Sequence, residues 1–265
     1  MALRQFVCLS ILLAGAAIAS AQTSLVQSMT EQQMIRAGRE AFVNRCSGCH
    51  GEDAQGNGVA AKMLNPRPRN LVSGAFKLRS TPYGTLPTVK DLLRTIDQGI
   101  PGTSMPSFRL VAESEKLAIV AYIRSLRSEF REGYQQSIAI SDPPREIFHE
   151  KENFLKAAKR GLLVYQQQQC RLCHGDGGKG DGPSADQLTD TSNRPIRPAN
   201  LTKPIIKSGP TARDVYKSIV TGLDGSPMPA YKDTLDEKQR WDLVAYVFYL
   251  RGKANGIYGE EDSLQ

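Results

Sequence analysis

Apolar side chains recur along this chain at helical spacing, in stretches separated by long loops that contain many Gly and Pro. Met34, Ile35, Ala41 and Phe42 follow Thr30, which has Gln33 three residues on, and this spacing predicts a capped helix running to Cys46. Thr88 with Asp91, and Thr211 with Asp214, predict the starts of two short helices ending near Gly99 and Gly222. Leu117, Ile119, Val120, Ile123 and Leu126 predict a closing helix. Trp241, Val244, Val247, Phe248 and Leu250 predict another, opened by Thr234 with Glu237 and stopped by Gly252. No stretch alternates with period two for long enough to require a sheet, so the expected fold is all-α.

These elements come in two matched sets. Cys46-Ser47-Gly48-Cys49-His50 recurs as Cys170-Arg171-Leu172-Cys173-His174, and Arg67-Pro68-Arg69-Asn70-Leu71 as Arg197-Pro198-Ala199-Asn200-Leu201. Ile96 to Met105 recurs as Ile219 to Met228, and Val120-Ala121-Tyr122 as Val244-Ala245-Tyr246. Four landmarks in one order point to a duplicated domain. The expected organisation is a leader at 1–21, a first domain at 22–130, a connector at 131–149 and a second domain at 150–265. The connector is read from its polar start and from Pro143-Pro144, which blocks helix propagation.

Composition narrows the class. With 265 residues, 40% hydrophobic and 23% charged, the chain is too apolar for a disordered protein and too long for a disulfide-stapled miniprotein. The formal charge of +7 is too diffuse to argue nucleic-acid binding. Arg4, the apolar run Phe6 to Ala19 and the small residues Ala19-Ser20-Ala21 read as a cleaved export signal. Cys8 is then lost with the leader, no later segment spans a bilayer, and the mature chain is expected in the periplasm or another extracytoplasmic space.

The loops at about 51–87 and 175–210 hold few large apolar groups, so something else must fill each centre. The two Cys-x-x-Cys-His clusters supply it: thiols three apart add to the two vinyl groups of one haem, and the next His ligates the iron. The expected cofactors are two haem c groups, one on Cys46 and Cys49 with His50 as axial ligand, the other on Cys170 and Cys173 with His174. Thioredoxin-like redox chemistry needs a βαβ context that is missing, and one zinc on four cysteines would leave both histidines unexplained. Met105 and Met228 follow the histidines by 55 and 54 residues, each before a Pro, and are the expected sixth ligands. Met63 has no counterpart and is read as packing. Arg67, Arg69 and Arg197 are candidates to neutralise haem propionates.

On these motifs the chain resembles a tandem dihaem member of the class I cytochrome c family. The resemblance implies two such domains, each wrapped around one covalently attached haem. In that family a Gly and an aromatic precede the cluster on a helix that crosses the closing helix. Gly38 and Phe42 match and face an expected Tyr122. Gly161 and Tyr165 sit one residue further from their cluster, which implies a bulge within Gln166 to Gln169 and weakens the expected contact with Tyr246. Asn70 and Asn200 resemble loop positions near the haem edge.

An iron held by His and Met has no open position, so the expected function is periplasmic one-electron transfer without substrate chemistry. Two alternatives stand beside it: an electron-transfer subunit of a larger periplasmic or membrane oxidoreductase complex, and a dihaem redox enzyme such as a peroxidase. The latter commonly adds histidines, and His149 is the one spare imidazole. Residues 22–128 carry net +6 and residues 129–265 net zero. That asymmetry fits steering toward an acidic redox partner, with Lys77, Lys90 and Lys116 as its test positions, and equally fits ordinary solvation.

Overall fold

The computed structural model describes residues 29–132 and 136–264. The expected leader and its Cys8 lie outside them. Among the described residues the fold is helical, with two isolated β-bridges, Thr189 with Pro195 and Ile206 with Gly209.

The first half contains α1 (Glu31–Arg45), α2 (Ser47–His50), a 3-10 turn at Ala61–Met63, α3 (Val89–Gln98), α4 (Glu113–Ser125) and α5 (Glu129–Glu132). Helix α1 starts where the spacing placed it: Gln33 N–H donates to Thr30 Oγ1 at 3.3 Å and Thr30 N–H to Gln33 Oε1 at 2.8 Å. It then crosses α4. Gly38 makes the crossing possible, because a Cβ there would overlap the Ala118 carbonyl. One turn on, Phe42 is 1% exposed with its ring centroid 5.1 Å from that of Tyr122. Burying such a ring contributes roughly 1.5–3 kcal/mol, so this pair anchors the core formed with Leu92, Ile96, Ile119 and Ile123.

The second half repeats the order, with α6 (Arg145–Phe148) leading into α7 (Lys151–Gln167), α8 (Arg171–His174), a 3-10 turn at Ala185–Gln187, α9 (Ala212–Thr221) and α10 (Glu237–Ala254). Gly161 meets the Asp242 carbonyl as Gly38 meets Ala118. The extra residue before the second cluster is absorbed locally: α7 stops at Gln167, Gln169 turns to φ +56°, and Cys170 N–H donates to Tyr165 O at 3.0 Å. The bulge therefore leaves the helix crossing intact, and Tyr165 keeps its contact with Tyr246 at 5.1 Å. This core is more aromatic than the first, with Trp241 stacked on Tyr216 at 4.2 Å.

Two local expectations change. Helix α10 is capped by Asp236 with Gln239, not Thr234 with Glu237, because the first turn begins two residues later. Nor does Gly252 stop α10: it lies in the last turn, where the Tyr258 ring occupies the space of a Cβ. Tyr258 also stacks on Phe154 and Tyr249, folding the segment after α10 back onto the core.

The connector is bound to both halves. Ile138 N–H donates to Ser80 O at 2.7 Å, and Trp241 Nε1 donates to Ser141 Oγ at 3.2 Å. Arg213 donates to the Ile140 carbonyl and pairs with Asp142 at 3.0 Å. Along the seam Arg79 donates to the Thr221 carbonyl at 2.8 Å, and Arg94 pairs with Asp214.

Candidate functional site

Each Cys-x-x-Cys-His cluster forms a single helical turn. His50 N–H donates to Cys46 O at 2.8 Å, as His174 N–H does to Cys170 O. Residues three apart on such a turn share a face, so each Cys pair presents two thiols to one side; all four are free.

The Arg-Pro-x-Asn-Leu repeat orients the imidazoles. His50 Nδ1 lies 2.9 Å from the Arg69 carbonyl and His174 Nδ1 lies 3.0 Å from the Ala199 carbonyl. A carbonyl can only accept, so Nδ1 carries the proton and Nε2 keeps its lone pair for a metal. Burial pushes both imidazoles below their ordinary pKa, which favours the neutral, ligating form. The Asn that follows is spent on a local turn: Asn70 Oδ1 accepts from Val72 N and Ser73 N at 2.9 Å, and Asn200 Oδ1 from Thr202 N at 3.0 Å. The Leu then enters the core, with Leu71 N–H on Ala54 O and Leu201 N–H on Gly178 O.

The Met segments are equally matched. Ile100 N–H donates to Met105 O, and Leu223 N–H to Met228 O, both at 3.1 Å. Gly99 and Gly222 precede these turns at φ +68° and +65°, the left-handed region that glycine adopts without strain. Both methionines are half-buried. Free paired thiols, an adjacent imidazole with its Nε2 available and a sulfur-bearing turn together fit a covalently attached haem.

The competing chemistries fit less well. Burial pushes the Cys46 and Cys170 thiols up to about 11, opposite to the activated thiolate of a thioredoxin-type site. Among the described residues no group of three or more His, Cys, Asp or Glu gathers, so four cysteines do not converge on one zinc. Tyr231 is a residue that sequence reasoning missed: its hydroxyl bonds the Cys170 thiol. Its backbone N–H donates to Ile219 O as Phe108 N–H donates to Ile96 O, so the signal was the Phe-for-Tyr exchange three residues after each Met.

Other expected positions lie elsewhere. Arg67 is exposed, and Arg197 pairs with Asp186 at the surface; Arg69 alone of the three is drawn inward. Lys116 is buried and bonded to Asp97 at 2.5 Å, and Lys77 is half-buried, so of the three charge-test positions only Lys90 is freely exposed. Met63 is 81% exposed rather than packed.

Comparison with known proteins separates the halves. Residues 35–127 match the family described as Cytochrome c, and that match implies c-type haem binding. Residues 156–247 match a different one, Cytochrome C oxidase, cbb3-type, subunit III. A component of the Kuenenia stuttgartiensis reducing HAO-like protein complex Kustc0457/Kustc0458 is 34% identical, with a TM-score of 0.74 over 81% of this chain and 95% of that one. The chain belongs to that component's family. The Cbb3-type cytochrome c oxidase subunit FixP of Azorhizobium caulinodans is 24% identical over 220 residues, and this chain spans 59% of its length.

These matches correct the expectation of two tandem class I cytochrome c domains. The family assignment has one cytochrome c domain followed by a distinct cbb3-type subunit III domain. The physical reason is that the repeated landmarks are short hydrogen-bonded turns, which both domains share. Between those turns the second half differs, through the bulge at Gln169, Tyr165 and Tyr231 in place of Phe42 and Phe108, and the stack of Trp241 on Tyr216.

Proposed function

We propose that this chain is an exported electron-transfer subunit of a multi-subunit oxidoreductase, relaying single electrons through two c-type haems. Cys46 and Cys49 would hold the first haem, with His50 and Met105 as axial ligands. Cys170 and Cys173 would hold the second, with His174 and Met228. The matched fixing of each imidazole by a backbone carbonyl, together with the matched Met turns, supports the reading. When bound, such a haem supplies reversible one-electron chemistry at its iron. The chain's own residues would supply a His and a Met ligand to each iron and hold Nδ1–H against a carbonyl so that the imidazole stays a good ligand.

Subunit status is supported by the relatives, a cbb3-type oxidase subunit and a component of a reducing HAO-like complex. Export is supported by the leader-like start. Among the described residues no helix is long and apolar enough to cross a membrane. A peroxidase-like reading lacks support, since His149 stands exposed beside Glu150 at 3.2 Å, in the connector. Spectroelectrochemical titration of the purified chain should give two reversible one-electron waves, and purification under mild conditions should recover it with larger subunits. Absence of any reversible haem wave would overturn the redox assignment; recovery alone would leave a free carrier in place of a subunit.

A further inference from the structure

Helix α3 of the first half and the segment leading into α9 of the second enclose a cavity of about 60 Å³ at the seam, away from both Cys-x-x-Cys-His turns. We infer that this cavity is a binding site for a small inorganic oxoanion, walled by Arg94, Lys207, Ser208 and Lys217. Ser208 is the decisive residue. It is 8% exposed, lines the cavity, and its hydroxyl is buried without a hydrogen-bond partner among the described residues. Leaving a hydroxyl unsatisfied there is destabilising, and a bound acceptor removes that cost.

The charges around that hydroxyl are unbalanced in the same direction. Arg94 reaches Asp214 and the Ser208 carbonyl, the latter at 3.3 Å, and its five-donor guanidinium has further N–H groups to offer. Lys207 and Lys217 make no ion pair among the described residues. Of the two carboxylates here Asp91 also lines the cavity, whereas Asp214 does not. Asp91 Oδ2 accepts from Ser80 and Thr88, and Asp214 Oδ2 accepts from Thr211 while its other oxygen holds Arg94. Burial, followed by the charge of Arg94, pulls the Lys217 ammonium below its ordinary pKa; burial and Arg69 do the same for Lys207. The residues lining this space of small-ion size thus include guanidinium, ammonium and hydroxyl donors. An oxoanion, with several acceptor oxygens, satisfies all three kinds at once.

Because Arg94 belongs to one half and the other three residues to the second, the bound ion would tie α3 to α9. Inorganic phosphate titrated calorimetrically into the haem-loaded full chain, with chloride at matched ionic strength as reference, tests this. Saturable binding of phosphate over chloride is expected, together with a rise in the thermal midpoint. Ser208→Ala and Lys217→Gln should each weaken phosphate binding by about tenfold or more, and Lys207→Gln at the rim by less. Lys203→Gln, on the exposed surface, should leave it unchanged. Phosphate heats no different from chloride, or binding that survives Lys217→Gln and Lys207→Gln in variants with an intact haem spectrum, would overturn the site.

Discussion

Arg79 Nη2 of the first half lies 3.0 Å from Asp224 Oδ1 of the second, and the arginine side chain is fully buried. The same guanidinium donates to the Thr221 carbonyl, while Asp224 accepts from Gly84 N–H at 3.1 Å. Burial nevertheless dominates both partners: it raises the Asp224 pKa and lowers that of Arg79 despite their mutual attraction. A pair of this kind holds geometry more than it stabilises, and its loss is expensive because one charge remains buried alone.

Arg79→Met should therefore destabilise the protein by about 3–5 kcal/mol in urea unfolding. Combining it with Asp224→Asn, which keeps an acceptor for Gly84, should recover a large part of the loss. Equal stability of the single and double variants would mean that the buried carboxylate is not the source of the cost.

The two helix crossings make a second expectation. A methyl group at Gly38 or Gly161 overlaps a backbone carbonyl of the facing helix, and backbone cannot rotate aside. Gly38→Ala and Gly161→Ala should each cost roughly 1–3 kcal/mol or more, measured as a lowered denaturation midpoint. Gly48→Ala, where a Cβ meets nothing within 4 Å, is the control.

Met228→Ala should remove one of the two sulfur-to-iron charge-transfer bands of the ferric protein while the His174 side is unchanged. Met105→Ala should remove the other. Retention of both bands in either variant would show that a different residue is the sixth ligand.

Electron entry is expected at the first half. Gly58 N–H donates to Cys49 O and Ala60 N–H to Gly48 O, so the exposed Val59, Lys62 and Met63 stand beside the first cluster. The equivalent positions after Gly182 are Pro183, Asp186 and Gln187. Reduction by an acidic redox protein should slow as salt rises, and Lys62→Glu should slow it at low salt and flatten that dependence. Asp186→Lys should have a smaller effect; the opposite ranking would place entry at the second half.

Much of this was readable in the residues. Thr30, Thr88 and Thr211 opened helices as their spacing predicts, since a capping box is a local device. The matched local geometry of the two clusters and the two Met turns was equally legible, because each is a short turn closed by hydrogen bonds between residues near in sequence. The sequence reading failed where one motif serves several families: the shared ligand turns hid that the second half matches a cbb3-type subunit III domain. It also failed for long-range partners. Nothing local shows that Lys116 is tied to Asp97, that Arg197 is drawn to Asp186, or that the connector joins Ser80 to Trp241.

Both clusters, in domains of different family, are expected to carry a covalent haem. Intact-mass measurement after acid-acetone extraction tests it most directly, on the parent and on a Cys170→Ser, Cys173→Ser variant. The expected result is the mass of two haem groups above the processed polypeptide in the parent, and of one in the variant. A parent carrying a single haem, or none that resists extraction, would contradict it.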